Sequence, residues 1–199
     1  MKKFGVERFV QDYRVVEYTN KKGKIRRKAE YIGQWYVAGI SETKQRRVHI
    51  LFAVASLVIF ACLFGALVLD YAADGELYVV LPCAVALFPA LYMIMSIFSQ
   101  PKIGAKMERI QYEHAYLRVG RSSMAILILV GVGLIGTVVY DILCINHTID
   151  KQLTVYDVLF LGLTAVVIAL SIVLFLTVRG VNISIEENTE NPDEIRKNS

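Results

Sequence analysis

Apolar positions along the chain gather into four long runs separated by polar stretches. They extend from Val48 to Leu69, Leu77 to Phe98, Ser122 to Ile145 and Val158 to Val178. The first carries His49 and no charged residue, the third only Asp141, and the second and fourth no charge at all. A helix rises about 1.5 Å per residue, so about 20 residues cross the ~30 Å hydrocarbon layer, and each run reaches that length. Lipid offers no partner to a bare peptide group, so helix is the expected form of every run. The pattern predicts an all-α membrane protein, a four-helix transmembrane bundle over residues 48–178. The N-terminal residues before Val48 are too charged for a secretory leader, and the first run is read as an uncleaved span.

Ahead of the first run the pattern changes to alternation. Phe9, Tyr13 and Val15 share one face of an extended segment; Ile25, Ala29 and Tyr31 share one face of another. Asn20-Lys21-Lys22-Gly23-Lys24 between them has turn chemistry, and Trp35-Tyr36-Val37 reads as a third short strand. Residues 1–47 are therefore expected to form a small two- or three-stranded antiparallel β-ribbon, marginal alone in water. Between the second and third runs, Ile103, Met107, Ile110, His114 and Leu117 repeat at helical spacing, which predicts an amphipathic helix over 102–119, either lying in the membrane interface or, the favoured reading, cytoplasmic and covering the ribbon. Gly120 and Ser122 are read as the start of the third span. After the fourth run, Val181, Ile183 and Ile185 alternate and offer one more strand. The rest of the acidic tail (179–199) reads as largely disordered.

Charge orients the bundle. Lysine and arginine number 13 in residues 1–47, five in 99–121 and three in 179–199, against only Lys151 in the two remaining loops. Positive residues stay cytoplasmic, so both termini and the middle loop are expected inside, in a plasma membrane, with the bacterial inner membrane favoured. Tyr71, Tyr78, Tyr140 and Tyr156 mark the outer interface. The N-terminal segment, with 13 basic and five acidic residues, has a charge of +8. Lys21, Lys22, Lys24, Arg26, Arg27 and Lys28 are its candidate contacts to anionic lipid headgroups. Nucleic-acid binding would need Tyr13, Tyr18, Tyr31 and Trp35 for stacking, whereas a ribbon uses such positions simply to pack; nucleic acid is not the expected partner.

Candidate chemistry adds little. Cys62, Cys83 and Cys144 give neither a disulfide framework nor a zinc pattern, and no cofactor or metal is expected. Gly131-Val132-Gly133-Leu134-Ile135-Gly136 matches a dinucleotide fingerprint only in letters, because it lies mid-span rather than after a strand. Close helix packing is the better reading: Gly133 with Thr137, and Ala165 with Ala169, are small-residue pairs through which the third and fourth spans are expected to touch. Pro82 and Pro89 lie on one face of the second span. Asp70, Asp141 and Asp157 sit where spans meet outer loops and form a candidate acidic rim. His147 and Asp150 supply at most two metal ligands, and Asn146-His147-Thr148 is a sequon close to the membrane.

No catalytic pattern emerges, and no span centre carries an ionisable group of the kind coupled transporters use. The sequence is therefore expected to be a non-enzymatic accessory, scaffold or regulatory subunit of a membrane complex, touching the bilayer and another membrane protein or a second copy of itself. The alternative is a small oligomeric transporter or channel using the acidic rim.

Overall fold

The computed structural model describes residues 12–19, 24–99, 106–146 and 154–187. In chain order these form β1 (Tyr13–Thr19), β2 (Ile25–Tyr31), β3 (Trp35–Ala38), α1 (Glu42–Val68), α2 (Leu77–Phe98), β4 (Lys106–Met107), α3 (Arg109–Ile145), α4 (Val155–Gly180) and β5 (Ile183–Glu186). The four helices, of 27, 22, 37 and 26 residues, are long and apolar enough to cross a membrane. The chain is a multi-pass membrane protein built as a four-helix bundle.

Each helix packs on the next and α4 closes back on α1, the cyclic up-and-down arrangement that short connections favour. Phe52, Ile59 and Leu63 of α1 meet Ala86, Ala90 and Met93 of α2, Ile126 and Val130 of α3, and Val167 and Leu174 of α4 in one core. The outer faces are equally apolar: Leu77, Phe88, Met95 and Val158 are each at least 70% exposed. A helix that is apolar all round belongs in lipid, where an outward leucine loses nothing.

The helices overrun the apolar runs at the end that carries the sheets. α1 begins at Glu42 rather than Val48, so Lys44, Arg46 and Arg47 ride on exposed turns below the span, while Gln45 is buried against Met107. The largest departure concerns the expected separate helix over 102–119. Residues 101–105 lie outside the described part, Lys106–Met107 is a strand, and from Arg109 the helix runs through Gly120 into the third span without a break. An interior glycine costs only about 1 kcal/mol against alanine, too little to end a helix with no proline to follow. Here the missing side chain also eases the packing, since a Cβ on Gly120 would stand 3.1 Å from Val178 Cγ1 of α4, a tight contact. The continuous helix contains one π turn, Glu113–Leu117. There Ser96 Oγ of α2 donates to the His114 carbonyl at 2.8 Å, and Ser99 Oγ lies 2.9 Å from His114 Nδ1. His114 of α3 thus packs against the end of α2.

The strands form two sheets rather than one ribbon. β1 and β2 pair as an antiparallel hairpin with Tyr13 opposite Tyr31 and Val15 opposite Ala29. β3 leaves that hairpin and becomes the centre of an antiparallel sheet ordered β4-β3-β5. Tyr36 pairs with both Met107 and Ile185, and Ala38 with Ile183. The break has a local cause: the amides of Ile32 and Gly33 both donate to the Asp12 carbonyl, at 2.8 and 3.2 Å, and close the hairpin before β3 starts. A Cβ on Gly33 would stand 2.7 Å from the Tyr31 hydroxyl, so this turn has no room for a side chain. The N-terminal segment, the stretch after α2 and the segment after α4 are therefore hydrogen-bonded together at one end of the bundle. The tail supplies the expected strand; residues 188–199, expected to be disordered, lie outside the described part.

Candidate functional site

Two polar clusters mark the two ends of the bundle, and a stripe of small residues joins two helices between them. The end with the sheets is built from aromatic rings. Tyr31 packs edge-on against its cross-strand partner Tyr13 (ring centroids 5.2 Å apart) and against Trp35 (5.0 Å) at the start of β3. Tyr36 points to the other face, stacks on Tyr112 at 4.6 Å, and through Tyr116 reaches Phe52 of α1. Hydroxyls anchor the first set: Tyr13 OH donates to Glu108 Oε2, the Arg109 amide donates to Tyr31 OH at 3.0 Å, and Tyr31 OH donates to the Gln34 carbonyl at 2.8 Å. Arg109 Nη1 adds a loose ion pair, 3.7 Å from Asp12 Oδ2. Tyr31 thus receives from the first residue of α3 and gives to the link before β3, which pins the base of the hairpin to the bundle. Three of the four rings considered for base stacking are taken up in this packing; Tyr18 remains exposed.

Burial, reinforced by the Glu108 carboxylate, raises the Tyr13 hydroxyl well above the ordinary phenol range. Burial also raises Tyr31, against the opposing pull of the Arg109 amide. For both groups the neutral form is the one that fits the fold. Their contribution to docking is complete below the unfolded phenol value of about 10 and is lost as pH rises through the higher folded values. The chain's one tryptophan, Trp35, lies on Tyr31 and reports the junction. Tyr31→Phe removes both hydroxyl bonds and should weaken docking by about 1–2 kcal/mol. The expected readout is a Trp35 emission change at neutral pH resembling that of the wild type once pH has risen past the folded phenol values. An unaltered Trp35 spectrum in Tyr31→Phe would show that the hydroxyl does not hold the hairpin.

Of the basic cluster, Lys21 and Lys22 lie outside the described residues, while Lys24, Arg26, Arg27 and Lys28 are exposed on or beside β2. Arg27 is paired with Glu17 at 2.8 Å, an exposed contact of little energetic weight. Register places Arg26 and Lys28 on the opposite face, opposite Tyr18 and Val16.

At the other end the three carboxylates take different positions. Asp70 is exposed. Asp157, only 3% exposed, turns inward: its Oδ1 accepts the Ala72 amide at 2.7 Å, and its Oδ2 accepts the Thr154 amide at 2.5 Å and the Thr154 hydroxyl at 2.9 Å. It caps the start of α4 and staples the α1–α2 connection to it. Tyr71 from that connection stacks on Phe160 at 4.1 Å, one turn below. Asp141 is half-buried, with Oδ1 enclosed and without a hydrogen-bond partner among the described residues. Of the three acids expected at the rim, Asp157 thus binds backbone amides, Asp141 is half-buried near it and Asp70 is exposed. Thr154-Val155-Tyr156-Asp157 has capping-box spacing, the sequence signal for this cap. His147 and Asp150 lie outside the described residues, among which no cluster of three metal-ligating side chains occurs. Cys83 and Cys144 are buried as free thiols, and Cys62 is half-buried.

The small-residue stripe joins other helices than expected. Gly133 of α3 faces α2: a Cβ there would lie 2.8 Å from Cys83 Sγ and 3.3 Å from the Val79 carbonyl. Thr137 is buried beside it, with Oγ1 donating to the Gly133 carbonyl at 3.0 Å. Ala165 and Ala169 are exposed on the outer face of α4 and do not meet this stripe. α3 and α4 meet through core residues such as Ile126, Val130, Val167 and Leu174, with Val178 also approaching Gly120. No family model matches the sequence, and no match was found among curated proteins or solved structures.

Proposed function

We propose that the chain is a non-enzymatic accessory or scaffold subunit of a membrane complex. Its sheet-bearing end faces the cytoplasm, and the β1–β2 hairpin is its docking element. One observation carries the reading: the hairpin is fixed to the bundle at its base, while its distal part packs chiefly on itself and leaves Val15 (64%) and Ile25 (71%) exposed. A two-stranded ribbon is marginal in water, so exposed apolar side chains along it favour a state in which a partner covers them. The basic balance of the three segments joined at that end supports the cytoplasmic orientation. Arg26 and Lys28 on the other face suit an acidic partner surface or anionic headgroups.

Deleting residues 1–31 removes the hairpin and leaves β3 to pair with β4 and β5. The truncated chain should still insert but lose the membrane proteins that co-purify with the full chain in mild detergent. Retention of the same proteins at the same stoichiometry would refute the docking role. A cysteine introduced at Lys28 should react with an impermeant maleimide only after the cells are opened; labelling of intact cells would reverse the orientation.

A further inference from the structure

At the sheet-bearing end, α3 and α4 part around a groove of about 330 Å³. Leu117, Gly120 and Met124 line one side, Phe175 and Val178 the other, and Arg121 brings a charge to the lining. The Arg179 guanidinium lies 4.6 Å over the Phe175 ring, adding a second cation beside the same wall. Arg118 is directed elsewhere, onto the Tyr92 ring of α2 at 5.2 Å.

The sequence places this groove at the membrane boundary. Arg121 immediately precedes the third apolar run, and Arg179 immediately follows the fourth. One helical turn deeper, Met124 and Phe175 are at the level of hydrocarbon. The walls therefore suit an acyl chain, and the two guanidinium groups suit a negative charge at headgroup depth. Long arginine side chains reach from a span's end into the headgroup layer, and basic pockets between spans hold anionic lipid heads. A polar cytosolic anion would gain nothing from the apolar walls, and a neutral lipid nothing from the cations.

We propose that the groove between α3 and α4 is a binding site for an anionic phospholipid, with its acyl chain along Met124 and Phe175 and its phosphate at the level of Arg121 and Arg179. This site is separate from the basic hairpin and does not depend on the docking role proposed for it.

The full chain in neutral detergent can be titrated with dioleoyl phosphatidylglycerol or dioleoyl phosphatidylcholine, with bound lipid read by native mass spectrometry and Tm by thermal unfolding. One phosphatidylglycerol should be retained and should raise Tm; phosphatidylcholine should do neither. Arg121→Gln and Arg179→Gln should each weaken retention about fivefold, the effect of about one basic group near a charged headgroup. Met124→Trp, which keeps both charges and fills the groove, should also lose the lipid. Arg26→Gln with Lys28→Gln should retain it. Equal retention of the two lipids would overturn the proposal. So would wild-type retention in folded Arg121→Gln, or a loss confined to the hairpin variant. Should the arginine variants fail to fold, Met124→Trp alone decides between the outcomes.

Discussion

Asp157→Ala should loosen the end of the bundle opposite the sheets at a cost of about 2–4 kcal/mol. The carboxylate accepts two amides and a hydroxyl, and both it and Ala72 are buried. A hydrogen bond to a charged group contributes about 1.5–3 kcal/mol, and a buried amide left without its acceptor costs about 1–3 kcal/mol. The estimate sits below the sum because Thr154 is exposed and water can replace its share. Asp157→Asn should fall between wild type and alanine, since an amide oxygen still accepts one N–H while its NH₂ turns a donor toward another donor. Unfolding in mixed micelles gives the magnitude, and faster exchange of the Ala72 amide gives the location. The result also separates two roles for this residue. A cap weakens the fold in proportion to the hydrogen bonds removed, whereas a residue serving only an ion path would alter flux and leave stability unchanged.

This aspartate shows where sequence reading reached and where it stopped. The four spans are legible because lipid forces length, apolarity and helix together, and no tertiary detail alters that requirement. A charge at the end of a span is ambiguous, because a carboxylate facing water and one turned onto amides occupy the same position in the pattern. Only the offset from Thr154 to Asp157 distinguished the two.

The sheets illustrate a second limit. Alternation over Tyr13–Thr19 and Ile25–Tyr31 predicts strands, and these pair as the expected hairpin; the expected turn over 20–24 lies mostly outside the described residues. Alternation says nothing about partners far along the chain. β3 pairs with a two-residue strand before α3 and with a strand after α4, and those pairings exist because the helices return all three segments to one end of the bundle. Gly120 shows the same dependence: read locally it ends a helix, and read in the bundle it is the place where Val178 approaches.

The small-residue stripe yields the second large effect, and here the sequence identified the residue but not its partner. Gly133→Ala should destabilise the bundle by about 1–3 kcal/mol, the usual cost of forcing an extra methyl into a packed core. The new Cβ would meet Cys83 Sγ at 2.8 Å and the Val79 backbone carbonyl at 3.3 Å, and the carbonyl cannot rotate away. Gly131, two residues earlier on the same helix, has nothing within 4 Å of an added Cβ, so Gly131→Ala should be neutral or slightly stabilising through helix propensity. The difference between the two alanine variants isolates the contact from the general effect of removing a glycine. Cys83→Ala removes the closer obstacle and should recover part of the loss in the Gly133→Ala background, although alone it costs something for the space it leaves. A double-mutant cycle on unfolding in micelles should therefore give a favourable coupling of about 0.5–3 kcal/mol. Zero coupling, or equal effects at Gly131 and Gly133, would mean that α3 does not present this stripe to α2. In that case the packing order around the bundle would have to be redrawn.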